Sequence, residues 1–115
     1  MTGSRSADLG RAGEELAAAW YLSRGYEVVA RNWRCAAGEL DLVCRRSHVL
    51  VVCEVKARSS ERFGAPVEAV TGTKQRRLRR LAAAYLAESD ARAKTVRFDV
   101  ASVTPAGVEV IESAF

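Results

Sequence analysis

At 115 residues the chain has room for one domain with a real core and too little for two. A composition of 49% hydrophobic and 28% charged residues excludes a disordered or fibrous polymer, and no apolar run approaches the length of a membrane span. The net charge of +4 is modest, yet only Lys56, Lys74 and Lys94 of the 18 basic residues are lysines. An arginine excess suits phosphate recognition through its fork of donors, and codon bias produces it equally well.

Cys35, Cys44 and Cys53 form no CxxC pair and leave one over. Cys44 and Cys53 are expected on one face but about four residues out of register, too distant for a disulfide. They read as small core residues of a reduced protein. The N-terminal stretch MTGSRSADLG lacks the apolar centre of a signal peptide, which makes the cytoplasm the expected location.

In chain order, Ser6 is placed to cap a helix that begins near Ala7, with Asp8 in its first turn. Leu9, Gly13, Leu16 and Trp20 recur at helical spacing, and Gly25 supplies the terminating glycine. Glu14 lies on the neighbouring row with Gly10, Ala17 and Ala18, small residues that let a helix approach a sheet closely. By itself Glu14 reads as an exposed helical glutamate. Residues 26–32 form a first strand and 33–38 a loop. Arg31, Trp33 and Arg34 are suited there to hold a phosphate and stack on a base. Trp33 is equally suited to cover the sheet edge.

Two strands follow at 39–45 and 49–56, joined at Arg46-Ser47, with His48, the one histidine, solvating the turn. The second opens with Val49, Leu50, Val51 and Val52, the run of a strand covered on both faces. Into this apolar hairpin are set Glu39, Asp41, Glu54 and Lys56. Alternation groups Glu39 with Asp41 and Glu54 with Lys56. A two-residue loop at Arg46-Ser47 makes Asp41 oppose Val52 and Glu39 oppose Glu54, so all four share one face. Asp41 and Glu54 then become diagonal neighbours, roughly 7 Å apart and within reach of one ion. Three carboxylates that close need a counter-charge, which a hard divalent cation such as Mg²⁺ supplies, its shell completed by water or phosphate. The plainer alternative is a salt-bridged cluster at a strand end.

Residues 57–66, with Arg58, Arg62 and Phe63-Gly64, read as a loop beside this cluster, where a substrate-contacting flap would lie. A second helix runs from Thr73 to about Glu88 and buries Leu78, Leu81, Ala82, Tyr85 and Leu86. Lys74, Arg76, Arg77, Arg79 and Arg80 crowd its first half, where cations oppose the helix dipole. That cost favours a nucleic-acid-backbone patch over a merely solvated face. Lys74 and Gln75 are positioned to face the site. Strands at 95–104 and 108–111 close the chain, and the helical crossover lets the fourth strand lie parallel to the third.

Asp41 with Glu54-x-Lys56 on a hairpin resembles the PD-(D/E)xK nuclease superfamily. More closely, the chain is similar to the YraN-type family of small bacterial proteins. The matching pieces are Gly10-x-x-Gly13-Glu14, Gly25-Tyr26, Arg31-Asn32-x-Arg34, Gly38-Glu39-x-Asp41, Glu54-Val55-Lys56-x-Arg58, Phe63-Gly64 and Arg97-Phe98-Asp99, in order over most of the chain. Cys53 departs from the bulky apolar residue usual in relatives, a core change that leaves the site intact.

The resemblance implies one restriction-endonuclease-like α/β domain, α-β-β-β-α-β-β, with a central mixed sheet flanked by helices. It implies a Mg²⁺- or Mn²⁺-dependent endonuclease acting on nucleic acid, DNA ahead of RNA. Asp41 would be the principal metal ligand, with Glu54 and the Val55 carbonyl completing the shell. Glu14 and Glu39 would be outer or second-metal ligands, Glu14 counting with Asp41, Glu54 and Lys56 in the catalytic set. Lys56 would orient or deprotonate the attacking water. Arg34, Arg58, Lys74, Arg76, Arg77 and Arg80 would hold the nucleic-acid backbone. Two alternatives stand beside this: a nucleic-acid-binding module without useful turnover, and a structural domain whose acidic cluster is a salt-bridge network. No membrane partner is expected, and a homodimer is compatible with each.

Overall fold

The computed structural model describes residues 2–58 and 70–115, with side chains from Leu9 onward. The order is α1 (Thr2–Leu22), β1 (Glu27–Cys35), β2 (Gly38–Arg46), β3 (Val49–Ala57), α2 (Gly72–Glu88), β4 (Thr95–Thr104) and β5 (Gly107–Ile111). The strands make a single sheet in the order β1-β2-β3-β4-β5. β3 and β4 are parallel, and the other pairs are antiparallel. This is the α-β-β-β-α-β-β arrangement around a mixed sheet that the sequence leads one to expect. No helix among the described residues is long and apolar enough to cross a membrane.

A parallel partner cannot be reached by a tight turn, so the chain returns from the end of β3 to the start of β4 through α2. Leu78, Leu81, Ala82 and Tyr85 of that helix close one core with Leu50, Val52 and Val100. On the opposite face Ala17, Ala18 and Tyr21 of α1 close a second core with Leu42, Val51 and Ala101. β3 therefore contributes to both cores by simple alternation, as its apolar run demands.

Helix α1 begins at Thr2 rather than near Ala7, so Ser6 lies inside it and is no cap. No proline stands between Thr2 and Ser6 to stop the helix. Its buried face is the small-residue row, while Leu9 and Leu16 are 40% and 50% exposed. The reason is close approach: a Cβ on Gly13 would stand 2.7 Å from the Ala57 Cβ. Gly25, at φ +83°, ends the helix. Tyr26 N–H donates to the Tyr21 carbonyl and Gly25 N–H to that of Leu22, and the Tyr21 and Tyr26 rings meet edge-on at 5.2 Å. That is the glycine-terminated Schellman arrangement with its apolar contact.

β1 runs on through Trp33, Arg34 and Cys35, which pair with Leu40, Glu39 and Gly38. The loop expected at 33–38 is thus only Ala36-Ala37. Trp33 packs edge-on against Tyr85 at 5.4 Å, the covering role. The hairpin turn is Ser47-His48, with Ser47 at φ +54° and Arg46 opposite Val49. This moves the β2–β3 register by two residues from the expected one and preserves every side chain's parity. Cys53 opposes Leu42 and Cys44 opposes Val51, and all three thiols are free.

A buried carboxylate ties these layers together. Asp99 on β4 is fully buried and accepts from the Tyr21 hydroxyl at 2.6 Å, from Arg97 Nε and Nη2 at 2.9 Å each, and from the Ser113 N–H at 3.1 Å. Arg97 Nη2 also donates to the Tyr26 hydroxyl at 3.0 Å. Burial, chiefly, pushes the Tyr21 phenol far above its ordinary range, so it remains a donor. Asp99→Ala leaves the partly buried Arg97 guanidinium with only the more exposed Glu112, at 3.6 Å, as a carboxylate partner, and urea denaturation should report a loss of about 3–5 kcal/mol. Tyr21→Phe, which removes one donor of several, should cost about 1–3 kcal/mol in the same measurement.

Candidate functional site

The site forms where β2 and β3 come apart. Their pairing is regular from the turn to Leu42↔Cys53, the last pair of the ladder. One step further, the register carries Asp41 opposite Glu54, closer than the diagonal relation expected. The Val55 N–H donates to Asp41 Oδ2 at 2.9 Å. A side-chain carboxylate thus takes the place of a backbone acceptor at the opening of the sheet.

Local backbone geometry explains the opening. Leu40 belongs to the core under α2 and Leu42 to the core under α1, although they are two residues apart. Alternation therefore breaks across Asp41. On the neighbouring strand, Asn32 lies between the pairs Arg31↔Leu42 and Trp33↔Leu40 and has φ +50°, the left-handed region asparagine tolerates. The β1–β2 ribbon turns over at these two residues. Consequently the four ionisable groups do not share one face, contrary to strict alternation. Glu54 and Lys56 lie on the α2 side, Asp41 lies at the break, and Glu39 turns the other way to pair with Arg34 at 3.5 Å.

The groups nevertheless act on one another. Burial, then the charge of Glu54, pushes the Asp41 carboxyl up from 3.8 to about 7, with Glu14 and Glu39 adding to the rise and the Val55 N–H opposing it. Glu14, from the partly buried edge of α1, is therefore within electrostatic reach of Asp41. Glu54 Oε1 receives two ammonium groups, Lys74 Nζ at 3.0 Å and Lys56 Nζ at 3.5 Å. The Glu54 side chain is only 12% exposed. Burial and then the neighbouring Lys74 lower Lys56. Burial also disfavours charge on Lys74, but its pairing with Glu54 helps to outweigh this and raise that group.

Among the described residues no three side chains of the His, Cys, Asp and Glu types are gathered tightly enough to hold an ion between them. The oxygen donors at the break are the carboxylates of Asp41 and Glu54 and the carbonyl of Val55. Lys74, expected both to face the site and to hold nucleic acid, faces the site and meets Glu54. Arg76, Arg77 and Arg80 remain exposed along α2. Arg79 is exposed as well but packs over an aromatic pair, 4.9 Å over the Phe98 ring and 5.5 Å from that of Phe115. Arg34 is exposed beside Glu39. Arg58 follows β3, its N–H bonded to the Val103 carbonyl at 2.8 Å. Arg62 and Phe63-Gly64, the expected flap, lie outside the described residues.

Sequence reasoning assigned no role to the Tyr21–Asp99–Arg97 network, although Arg97-Phe98-Asp99 stood out as a motif. The usable signal was an Asp within an otherwise apolar strand, with an Arg two residues earlier on the same face.

A carboxyl whose folded pKa exceeds its unfolded one holds an extra proton in the folded state between the two values. The contribution of Asp41 to the stability of the metal-free protein is complete below pH 3.8 and is lost as pH rises through about 7. Asp41→Asn should remove this slope and be the more stable protein at pH 8. Urea titrations in chelator at pH 5 and pH 8 measure it, and equal slopes for the two proteins would contradict the assignment.

Residues 13–103 match the family described as Uncharacterised protein family UPF0102. The chain is 56% identical over 106 residues to a UPF0102 protein of Beutenbergia cavernae, covering 90% of each. It is 52% identical to one of Nocardia farcinica, over 90% of this chain and 84% of that protein. A UPF0102 protein of Moorella thermoacetica is 46% identical over 92% of this chain and 93% of its own.

Proposed function

We propose that this chain, which belongs to Uncharacterised protein family UPF0102, is a metal-dependent phosphodiesterase acting on nucleic acid. The observation that carries this is the meeting of Asp41 and Glu54 at an opened strand pair, with two lysines on the second carboxylate. An Asp41 carboxyl pushed up to about 7 by burial, and then by the charge of Glu54, is one whose ionised form a nearby cation would stabilise. Two carboxylates and the Val55 carbonyl are hard oxygen donors of the kind Mg²⁺ or Mn²⁺ takes, with water and substrate phosphate filling the remaining positions. Glu14 and Glu39 would act from further out.

Bound there, the ion would offset the charge of the phosphate and lower the pKa of a bound water. Lys56 would orient the attacking water and offset charge growing on the phosphoryl oxygens. Asp41, fixed by the Val55 N–H, would hold its carboxylate in place without rearrangement. Arg76, Arg77 and Arg80, with Arg34 and Arg58 nearer the site, would grip the backbone without reading bases. Duplex DNA is the first substrate class to test, ahead of RNA. The salt-bridged state of Glu54 favours one second possibility, a nucleic-acid-binding module with this fold and no turnover.

Mn²⁺ at a hundredfold excess over its Kd should stabilise the protein by about 2.7 kcal/mol in denaturant titrations, and Asp41→Asn should lose that response. On a panel of duplex, single-stranded, flap, four-way-junction and RNA substrates, Lys56→Met should bind within a few-fold of wild type and cleave at least ~100-fold more slowly. A metal-loaded wild type that cleaves nothing on the panel would transfer the assignment to the binding module.

Backbone grip has its own signature. Each lost phosphate contact should lower the slope of log K against log salt by about one. The double variant Arg77→Glu, Arg80→Glu should therefore show a shallower slope by about two in anisotropy titrations with a labelled duplex. An unchanged slope would mean that this face of α2 meets only solvent.

A further inference from the structure

Lys74 is an anomaly on its own helix. It sits in the first turn of α2, where a cation opposes the helix dipole, and Arg76 and Arg77 follow after Gln75. Its backbone is pinned, the Lys74 N–H donating to the capping Thr71 hydroxyl at 3.2 Å. Its side chain nevertheless reaches from α2 to the end of β3, where Nζ meets Glu54 Oε1 at 3.0 Å. Lys56 approaches the same oxygen from two residues along β3, less closely, at 3.5 Å. Glu54 is mostly shielded from solvent, so this pairing is not one of the weak surface contacts that contribute little.

The ammonium of Lys74 thus satisfies the carboxylate that a divalent ion would need. Of the two lysines it is the one that can leave. Both end the same four-carbon stem, but Lys56 starts from the strand that carries Glu54, whereas Lys74 reaches across from α2. Once released it would lie on the edge of the exposed Arg76, Arg77 and Arg80 surface. Resting on the metal-dependent assignment above, we propose that Lys74 is the resident counter-ion of Glu54, displaced when a divalent cation binds and then transferred to the phosphate backbone of the nucleic acid. Lys74 is thereby a positioning residue that couples metal uptake to substrate grip.

The test measures Mn²⁺ affinity by calorimetry, without nucleic acid, for wild type, Lys74→Met, Lys74→Gln and Asp41→Asn. Removing the competing ammonium should tighten Mn²⁺ binding by about tenfold in both Lys74 variants, equivalent to about 1.4 kcal/mol. A lysine that only supports the fold would leave the affinity unchanged or weaken it. Lys74→Gln, which keeps a polar head at the helix start, serves if Lys74→Met disturbs folding.

The second arm is anisotropy with a labelled phosphorothioate duplex. Mn²⁺ should tighten wild-type binding severalfold and that of the Lys74 variants distinctly less. Wild type that binds Mn²⁺, with Lys74 variants no tighter, overturns this proposal and leaves the metal site standing. An equal gain in duplex affinity for all forms overturns the transfer to phosphate. A wild type that binds no Mn²⁺ overturns the metal site and this proposal together.

Discussion

Strand β3 has a hydrogen-bonded neighbour on each side and a helix over each face, so an unpaired polar group along most of its length would be stranded. Val49 to Cys53 obey this constraint without exception. Charge becomes tolerable only where β2 peels away, and there the sequence turns to Glu54-Val55-Lys56. The order of the whole chain follows from covering this strand. α1 supplies a small-residue surface, with Gly13 against Ala57, and α2 supplies leucines while returning the chain to a parallel β4.

Covering both faces requires that two helices with few direct contacts to one another be held in register with the sheet. Asp99 does much of this. From the middle of β4 it binds the last turn of α1 through Tyr21, the entrance to β1 through Arg97 and Tyr26, and the C-terminal segment through Ser113. The C-terminal segment then places Phe115 against Phe98, with Arg79 of α2 over both rings. Arg97 shares β4 with this buried charge, while Tyr21 and Ser113 come from other elements, so satisfying the carboxylate ties those elements to the sheet.

The electrostatics of the candidate site follow from the same opening. Water can reach the end of β3 only partly, so carboxylates there keep much of their mutual repulsion. Asp41 answers by holding its proton more tightly, and Glu54 by taking two lysines. Both responses are what a carboxylate pair does when burial and mutual repulsion disfavour two negative charges. The two lysines differ in origin, one from the strand and one from the helix, so they are not equally free to give way.

Much was legible in the residues themselves. Apolar periodicity and glycine positions suffice for the seven elements and the α-β-β-β-α-β-β order, because burial dictates both. Glu54-x-Lys56 after a run of valines was visible as charge where burial forbids it, and Asp41 as its partner. Leu78, Leu81, Ala82 and Tyr85 were legible as the buried stripe of α2 for the same reason.

What the residues did not reveal depends on contacts distant along the chain. That Leu9 and Leu16 lie outward on α1 reflects how closely Gly13 and its small neighbours approach the sheet, a fit between two surfaces. The reversal of the β1–β2 ribbon at Asn32 and Asp41 is invisible to a rule of strict alternation, since each strand looks regular alone. The two-residue change in register left parity intact, so the local pattern could not detect it. The position of Lys74 at the start of α2 placed it toward the site as well as in the basic run, but nothing local named Glu54 as its partner. Only the tertiary structure, by bringing the start of α2 beside the end of β3, decides which cation faces solvent and which meets Glu54.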